Sequence, residues 1–140
     1  MIDATLTGNT EILDRLNLLY FDDKKMQKFS RLAGAEMVRR TEERFYNQHD
    51  LNRSPWIPSQ RAIADDGDTL RDKGSLLSSL TYIPMPDGVK WGTDVIYAKP
   101  MHYGIRERNV VGRPYLGMNE SDNAIITNII NRILEDDLSV

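Results

Sequence analysis

The 140 residues carry 18 Lys and Arg against 21 Asp and Glu, a formal charge of −3, with 40 % hydrophobic residues and no cysteine. Disulfides, thiolate catalysis and thiolate metal sites are thereby excluded, and an acidic balance argues against a general basic face for duplex nucleic acid. The length fits a single domain over residues 1–140. No run approaches the ~18 apolar residues of a membrane span, and the opening Met-Ile-Asp-Ala-Thr lacks the order of a secretion signal, so a soluble protein made in a cytoplasm is expected.

Residues 1–9 read as a mobile lead. Thr10 is placed to cap a short helix to about residue 21, with Ile12, Leu13, Leu16, Leu19 and Tyr20 at helical spacing. Asp22 and Asp23 close it and cap a second helix from about Lys24 to Gln48. Met26, Phe29, Ala33, Met37, Thr41 and Phe45 form its apolar stripe, over a length on the order of 37 Å. The opposite face carries Arg39, Arg40, Glu42, Glu43 and Arg44, which reads as a solvated face with i,i+4 pairs or as a subunit contact.

Residues 50–68 read as an irregular loop. Pro55 and Pro58 break both helix and ladder, and Trp56 and Ile57 between them suit a loop that folds back onto a surface. Ala62 to Ala64 fit one helical turn. Asp65-Asp66-Gly67-Asp68 lacks the ligand spacing of a calcium loop and reads as a polar turn. Leu70, Leu76, Leu77 and Leu80 anchor a short helix. Thr81–Met85 and Val89–Thr93 alternate about the turn Pro86-Asp87-Gly88, which predicts a hairpin with Val89, Trp91 and Thr93 on one face. Pro84 makes its first strand an edge or interrupts it. Val95–Tyr97 either extends the sheet or leads into a helical turn through Tyr103.

The loop 105–113 carries Arg106, Arg108 and Arg113 against Glu107. Its readings are a phosphate-contacting patch, a contact with an acidic neighbouring subunit, or an exposed loop without a partner. Ser121 or Asp122 is placed to cap a last helix with the stripe Ile125, Ile126, Ile129, Ile130, Ile133 and Leu134. Glu135, Asp136 and Asp137 have the wrong sign for a helix C-terminus, so fraying and an acidic tail over 135–140 are expected. The fold class is α+β: N-terminal helices and a C-terminal amphipathic helix on a small, mostly antiparallel sheet.

Nothing in the sequence assembles catalytic machinery. The two histidines, His49 and His102, have no metal-ligand partner at close spacing, and no nucleophile elbow or phosphate-binding glycine loop is present. The paired carboxylates are adjacent in sequence, where side chains diverge. No enzyme, cofactor or metal is expected. A hydrolase would have to use His102 or Asp72.

A series of short motifs carries a family resemblance. Leu70-Arg71-Asp72-Lys73-Gly74-Ser75-Leu76-Leu77-Ser78-Ser79-Leu80 is followed by Val89-Lys90-Trp91-Gly92-Thr93, Tyr97-Ala98, His102-Tyr103-Gly104 and Gly112-Arg113-Pro114-Tyr115-Leu116-Gly117. With the closing amphipathic helix, this resembles the phage virion morphogenesis family, the tail completion proteins of Mu-like and related tailed phages, from about Pro55 to Leu134.

The resemblance implies a non-enzymatic structural protein of the virion neck, located at the head–tail junction. It would complete the tail, join it to the head, and form an oligomeric ring, commonly a hexamer, around the DNA channel. Implied partners are copies of itself, tail tube or terminator proteins and head connector proteins. DNA would pass through an acidic lining without sequence-specific binding, and no membrane is involved.

Arg39, Arg40, Trp56, Arg106, Arg108 and Arg113 are the candidate contact residues, and Tyr97, His102, Gly104, Pro114 and Tyr115 a candidate structural corner. Arg113 presents a planar fork suited to a carboxylate of the same sheet or of a neighbouring subunit. Trp91, Tyr97 and Tyr115 read as core packing, and His102 as a buried or half-buried polar group with a backbone partner. A tail terminator or head-side stopper, and a small cytoplasmic binding module without a virion role, are the alternative readings.

Overall fold

In the computed structural model, which describes residues 2–7, 22–65, 67–70, 75–95, 97–108 and 110–138, the longest element begins at Asp22. Its carboxylate accepts a hydrogen bond from the Lys25 amide at 2.8 Å and so caps helix α1 (Asp23–Asn47). The expected stripe is buried throughout: Met26, Phe29, Ala33, Met37, Thr41 and Phe45. Thr41 returns its hydroxyl to the Met37 carbonyl at 2.7 Å, which lets a polar residue sit in the stripe without an unmet donor. Ser30 and Gly34 share the buried face. The Ser30 hydroxyl donates to the Gly88 carbonyl at 2.5 Å. A Cβ at Gly34 would lie 2.4 Å from the Tyr82 ring, so glycine sets how closely the helix approaches the sheet. Gln48 ends α1 in the left-handed conformation, φ 58°, and its side-chain amide exchanges two hydrogen bonds with the Thr69 backbone.

The sheet is antiparallel in the order β1 (Ile2–Thr7), β3 (Gly88–Thr93), β2 (Thr81–Met85). The hairpin is as its alternation predicts, with Val89, Trp91 and Thr93 buried. β2 lies at an edge, where Pro84 costs no ladder bond toward a further strand. Residues 2–7 are not a mobile lead. They pair along the far side of β3, Ala4 opposite Trp91 and Leu6 opposite Val89, and bury Ile2 and Leu6 while Asp3 and Thr5 face out. The helix expected to about residue 21 lies outside the described residues.

The segment after α1 is more ordered than an irregular loop. It contains helix α2 (Gln60–Asp65), anchored by buried Ala62, and the one-turn helix α3 (Ser75–Ser78) follows, anchored by Leu76 and Leu80. The chain after Val95 turns into helix α4 (Ala98–Tyr103) and does not extend the sheet. Pro100 is accommodated because it stands in the first turn of α4, where amides have no intrahelical acceptor. The basic stretch folds into a small hairpin: β4 (Gly104–Ile105), a 3-10 turn (Arg106–Arg108) and β5 (Val110–Val111).

Helix α5 (Glu120–Leu138) runs antiparallel to α1 and packs on it, while α1 also packs on β2 and β3. Its cap is Asn119, and neither Ser121 nor Asp122 serves as the cap. The Asp122 amide donates to Asn119 Oδ1 at 2.8 Å and the Asn119 amide to Asp122 Oδ2 at 2.9 Å, a reciprocal capping box. Ile126, Ile130 and Ile133 are buried, and Ile125, Ile129 and Leu134 half-buried. The expected acidic tail is helical through Leu138, and Lys28 of α1 holds Asp136 at 3.3 Å. An α+β protein results, with α1 layered between a three-stranded antiparallel sheet and α5.

Candidate functional site

The charged face of α1 divides in two. Arg39 stays exposed and pairs along the helix with Glu36 and Glu43 at 2.5 Å, as a solvated face should. Arg40 and Arg44 turn toward α5 instead, which corrects their reading as part of a solvated face. They clasp Asp122, whose side chain is 0 % exposed: Arg44 Nη2 donates to Oδ2 at 2.6 Å, and Arg40 Nε donates to Oδ1. Arg44 Nη1 also donates to the Tyr115 carbonyl at 2.8 Å. Burial pushes the Arg44 pKa down and Asp122 opposes it. This cluster floors an open polar cleft of about 250 Å³, lined also by Glu43, His49 and Arg53.

A second constellation stands around Tyr115. Its ring is buried at 5.2 Å from Phe45 and 5.0 Å from His102, and its hydroxyl donates to the Ala98 carbonyl at 2.7 Å. Burial pushes the phenol pKa well above its usual value. Trp56 is inside the chain, edge-on to Phe45 at 5.5 Å, with its indole N–H on the Pro114 carbonyl at 3.0 Å, so it is a core residue and not a surface contact. Arg113 is buried too. It meets backbone oxygens where a carboxylate was expected: Nε donates to the Ile57 carbonyl at 2.7 Å and Nη1 to the Val111 carbonyl at 3.3 Å. Gly104 closes α4 at φ 80°. Tyr97 begins α4 and is exposed, not core.

His102 Nδ1 faces the amides of Tyr115 and Leu116 at 3.2 and 3.3 Å, so it acts as acceptor and the ring is neutral. Burial lowers its pKa from the ordinary 6.5. With the folded pKa depressed, the contribution to stability is complete above about pH 6.5 and falls as pH drops below it, because the unfolded chain takes the proton first. His102→Asn, which keeps an acceptor near Nδ1 but does not titrate, is expected to have a flatter stability-versus-pH curve below about 6.5 in urea melts. Parallel curves for the two proteins would contradict this.

Around buried Arg113 the surface is apolar. Ile57 is 61 % and Tyr103 71 % exposed, and Val111 is exposed too. Gly104 pairs with Val111 in the small hairpin, so Tyr103 and Val111 lie on neighbouring stretches of backbone, and Arg113, bonded to the Ile57 and Val111 carbonyls, ties the loop to them. Arg106 and Arg108, on the adjoining turn, are exposed with no partner among the described residues. The model of the phage virion morphogenesis family matches residues 7–135. The chain belongs to this family. Its role is therefore in building the phage particle, and it is a virion-associated protein. No curated protein and no solved structure matches the chain.

The family match begins near the end of β1 and takes in α1, beyond the Pro55–Leu134 span of the motif series. In this virion morphogenesis protein no helix among the described residues is long and apolar enough to cross a membrane. Among the same residues no cluster of His and carboxylates could hold a metal. Asp122, Arg53, Ile57, Tyr103 and Val111 are site residues that the candidates from sequence left out. Asp122 has a readable signal, an Asn and an Asp three residues apart before an apolar stripe, whereas its arginine partners are 78 and 82 residues away.

Proposed function

We propose that the protein is a structural neck component that completes the phage tail and joins it to the DNA-filled head, with its copies arranged as a sixfold ring around the DNA channel. The observation that supports this reading is the group of exposed side chains Ile57, Tyr103 and Val111 on the backbone around buried Arg113, next to the turn that carries Arg106 and Arg108. Tyrosine and arginine around exposed apolar side chains match the composition of protein–protein contacts, and such contact residues carry most of the binding energy. A surface of this kind that meets a different surface of the next copy makes a head-to-tail interface, which closes into a ring when the rotation allows. Tail tube or terminator proteins and head connector proteins are the neighbours such a ring would meet. The net charge of −3 suits a channel wall that does not hold DNA phosphates.

Tyr103→Ala combined with Arg106→Glu is the test. Both side chains are exposed, so the unfolding midpoint is expected to change little. Loss of an anchoring aromatic is expected to weaken association by about 2 kcal/mol, roughly thirtyfold. A phage lacking the wild-type gene product would then be complemented poorly or not at all. Full complementation by this folded variant would remove the face from the interface.

A further inference from the structure

The cleft between the end of α1 and the start of α5 has no role in the reading above, and its charges do not balance. Arg40, Arg44 and Arg53 line it against Glu43 and Asp122, one positive charge in excess. Asp122 is engaged by both Arg40 and Arg44, and Glu43 is held from outside the cleft by Arg39 at 2.5 Å. Arg44 has acceptors for its donors in Asp122 and Tyr115. Arg40 differs. Only its Nε is engaged, and its two terminal nitrogens have no acceptor among the described residues although the side chain is only 16 % exposed. Both terminal nitrogens still reach solvent, so they can donate to an oxyanion that enters the cleft from outside.

A second observation concerns Arg53. Its backbone is left-handed, φ 64°, a conformation that L side chains other than Asn and Asp seldom adopt. The turn that imposes it is closed from several sides. Asp50 Oδ1 accepts from the amides of Asn52 and Ser54 at 2.8 and 3.0 Å, and the Asp50 amide donates to the Ser54 carbonyl at 2.9 Å. Glycine would fit this position without strain, yet the residue there is an arginine that lines the cleft and has no partner among the described residues. Backbone strain of this kind clusters where a side chain is being placed for a purpose.

We infer that the cleft is an oxyanion-binding site, in which Arg40 and Arg53 receive a carboxylate or phosphate group above the Arg44–Asp122 pair. The Asn47 side chain, exposed on the same wall, adds an amide donor. Planar forks on two sides suit a ligand with two or more oxygens. The oxyanion comes either from an acidic side chain of a protein partner or from free phosphate.

The test titrates the full chain with inorganic phosphate and, separately, with a short Glu/Asp-rich peptide, following the arginine side-chain N–H signals by NMR. Arg53→Gly is run alongside. The variant relieves the strain, so its unfolding midpoint is expected to stay the same or rise. Its affinity for the bound species is expected to fall at least tenfold. Saturable binding of phosphate alone assigns a free ion, and tighter binding of the peptide assigns a protein carboxylate. The inference is overturned if neither ligand saturates by about 10 mM, or if Arg53→Gly binds as the wild type does. A lowered midpoint for Arg53→Gly would also overturn it, since the arginine would then be holding the loop.

Discussion

Asp122→Ala is expected to cost about 3–5 kcal/mol of stability, because it leaves Arg44 and Arg40 buried or nearly so without their counter-charge. The reasoning starts from burial. The Arg44 guanidinium, taken out of water, is tolerated only with a partner, and the carboxylate it shares with half-buried Arg40 is 0 % exposed. The same substitution removes half of the capping box of α5, since the Asn119 amide loses its acceptor, a further cost of roughly 1 kcal/mol. Against a typical total of about 5–15 kcal/mol this is a large share.

Urea melts measure the effect, with the midpoint falling and the slope unchanged. Adding Arg44→Met to Asp122→Ala is expected to recover part of the loss, because the uncompensated charge is removed along with its partner. A loss below about 1 kcal/mol for Asp122→Ala would mean that the arginines are solvated and that the cluster is no core element.

Gly92→Ala is expected to detach β1 from the sheet. A Cβ at this position would lie 2.0 Å from the Ile2 carbonyl oxygen and 2.7 Å from the Asp3 Cα, so it meets backbone, which cannot rotate out of the way. Overpacking costs roughly 1–3 kcal/mol where the structure can yield. Here yielding means moving the strand that buries Ile2 and Leu6, at about 1.5–3 kcal/mol for each side chain returned to water. Amide exchange measures this directly: protection of residues 2–7 is expected to collapse in the variant while α1 and the β2–β3 hairpin keep theirs. Retained protection over residues 2–7 would show that β1 tolerates the methyl group.

The elements legible from sequence were those whose periodicity runs long enough to state a face. The α1 stripe from Met26 to Phe45, the alternation of Val89, Trp91 and Thr93, and the isoleucines of α5 all fall where the structure buries them. β1 carries the same signal in little room. Ile2, Ala4 and Leu6 alternate with Asp3 and Thr5, but three apolar positions, one of them an alanine, make a weak strand pattern. The 105–111 hairpin has strands of two residues, too short for any pattern.

The candidate site was legible as charge but not as geometry. On a helical wheel Arg40 follows Ala33 and Arg44 follows Met37 by two turns, so both point along the buried stripe while Arg39 points away; the spacing separates them, and what it hides is Asp122, the partner across the chain that lets two arginines sit there. Trp56 and Arg113 were visible as special residues. What hides them is tertiary: each finds its partner at backbone carbonyls 58 and 56 residues away in sequence.

Electron microscopy of particles assembled with and without this gene product tests the joining role most directly. The account predicts full heads lying beside separate tails of normal length when the protein is missing. Tails of uncontrolled length would contradict a completion role and favour a terminator, and normal infectious particles that lack the protein would contradict any structural place for it at the neck.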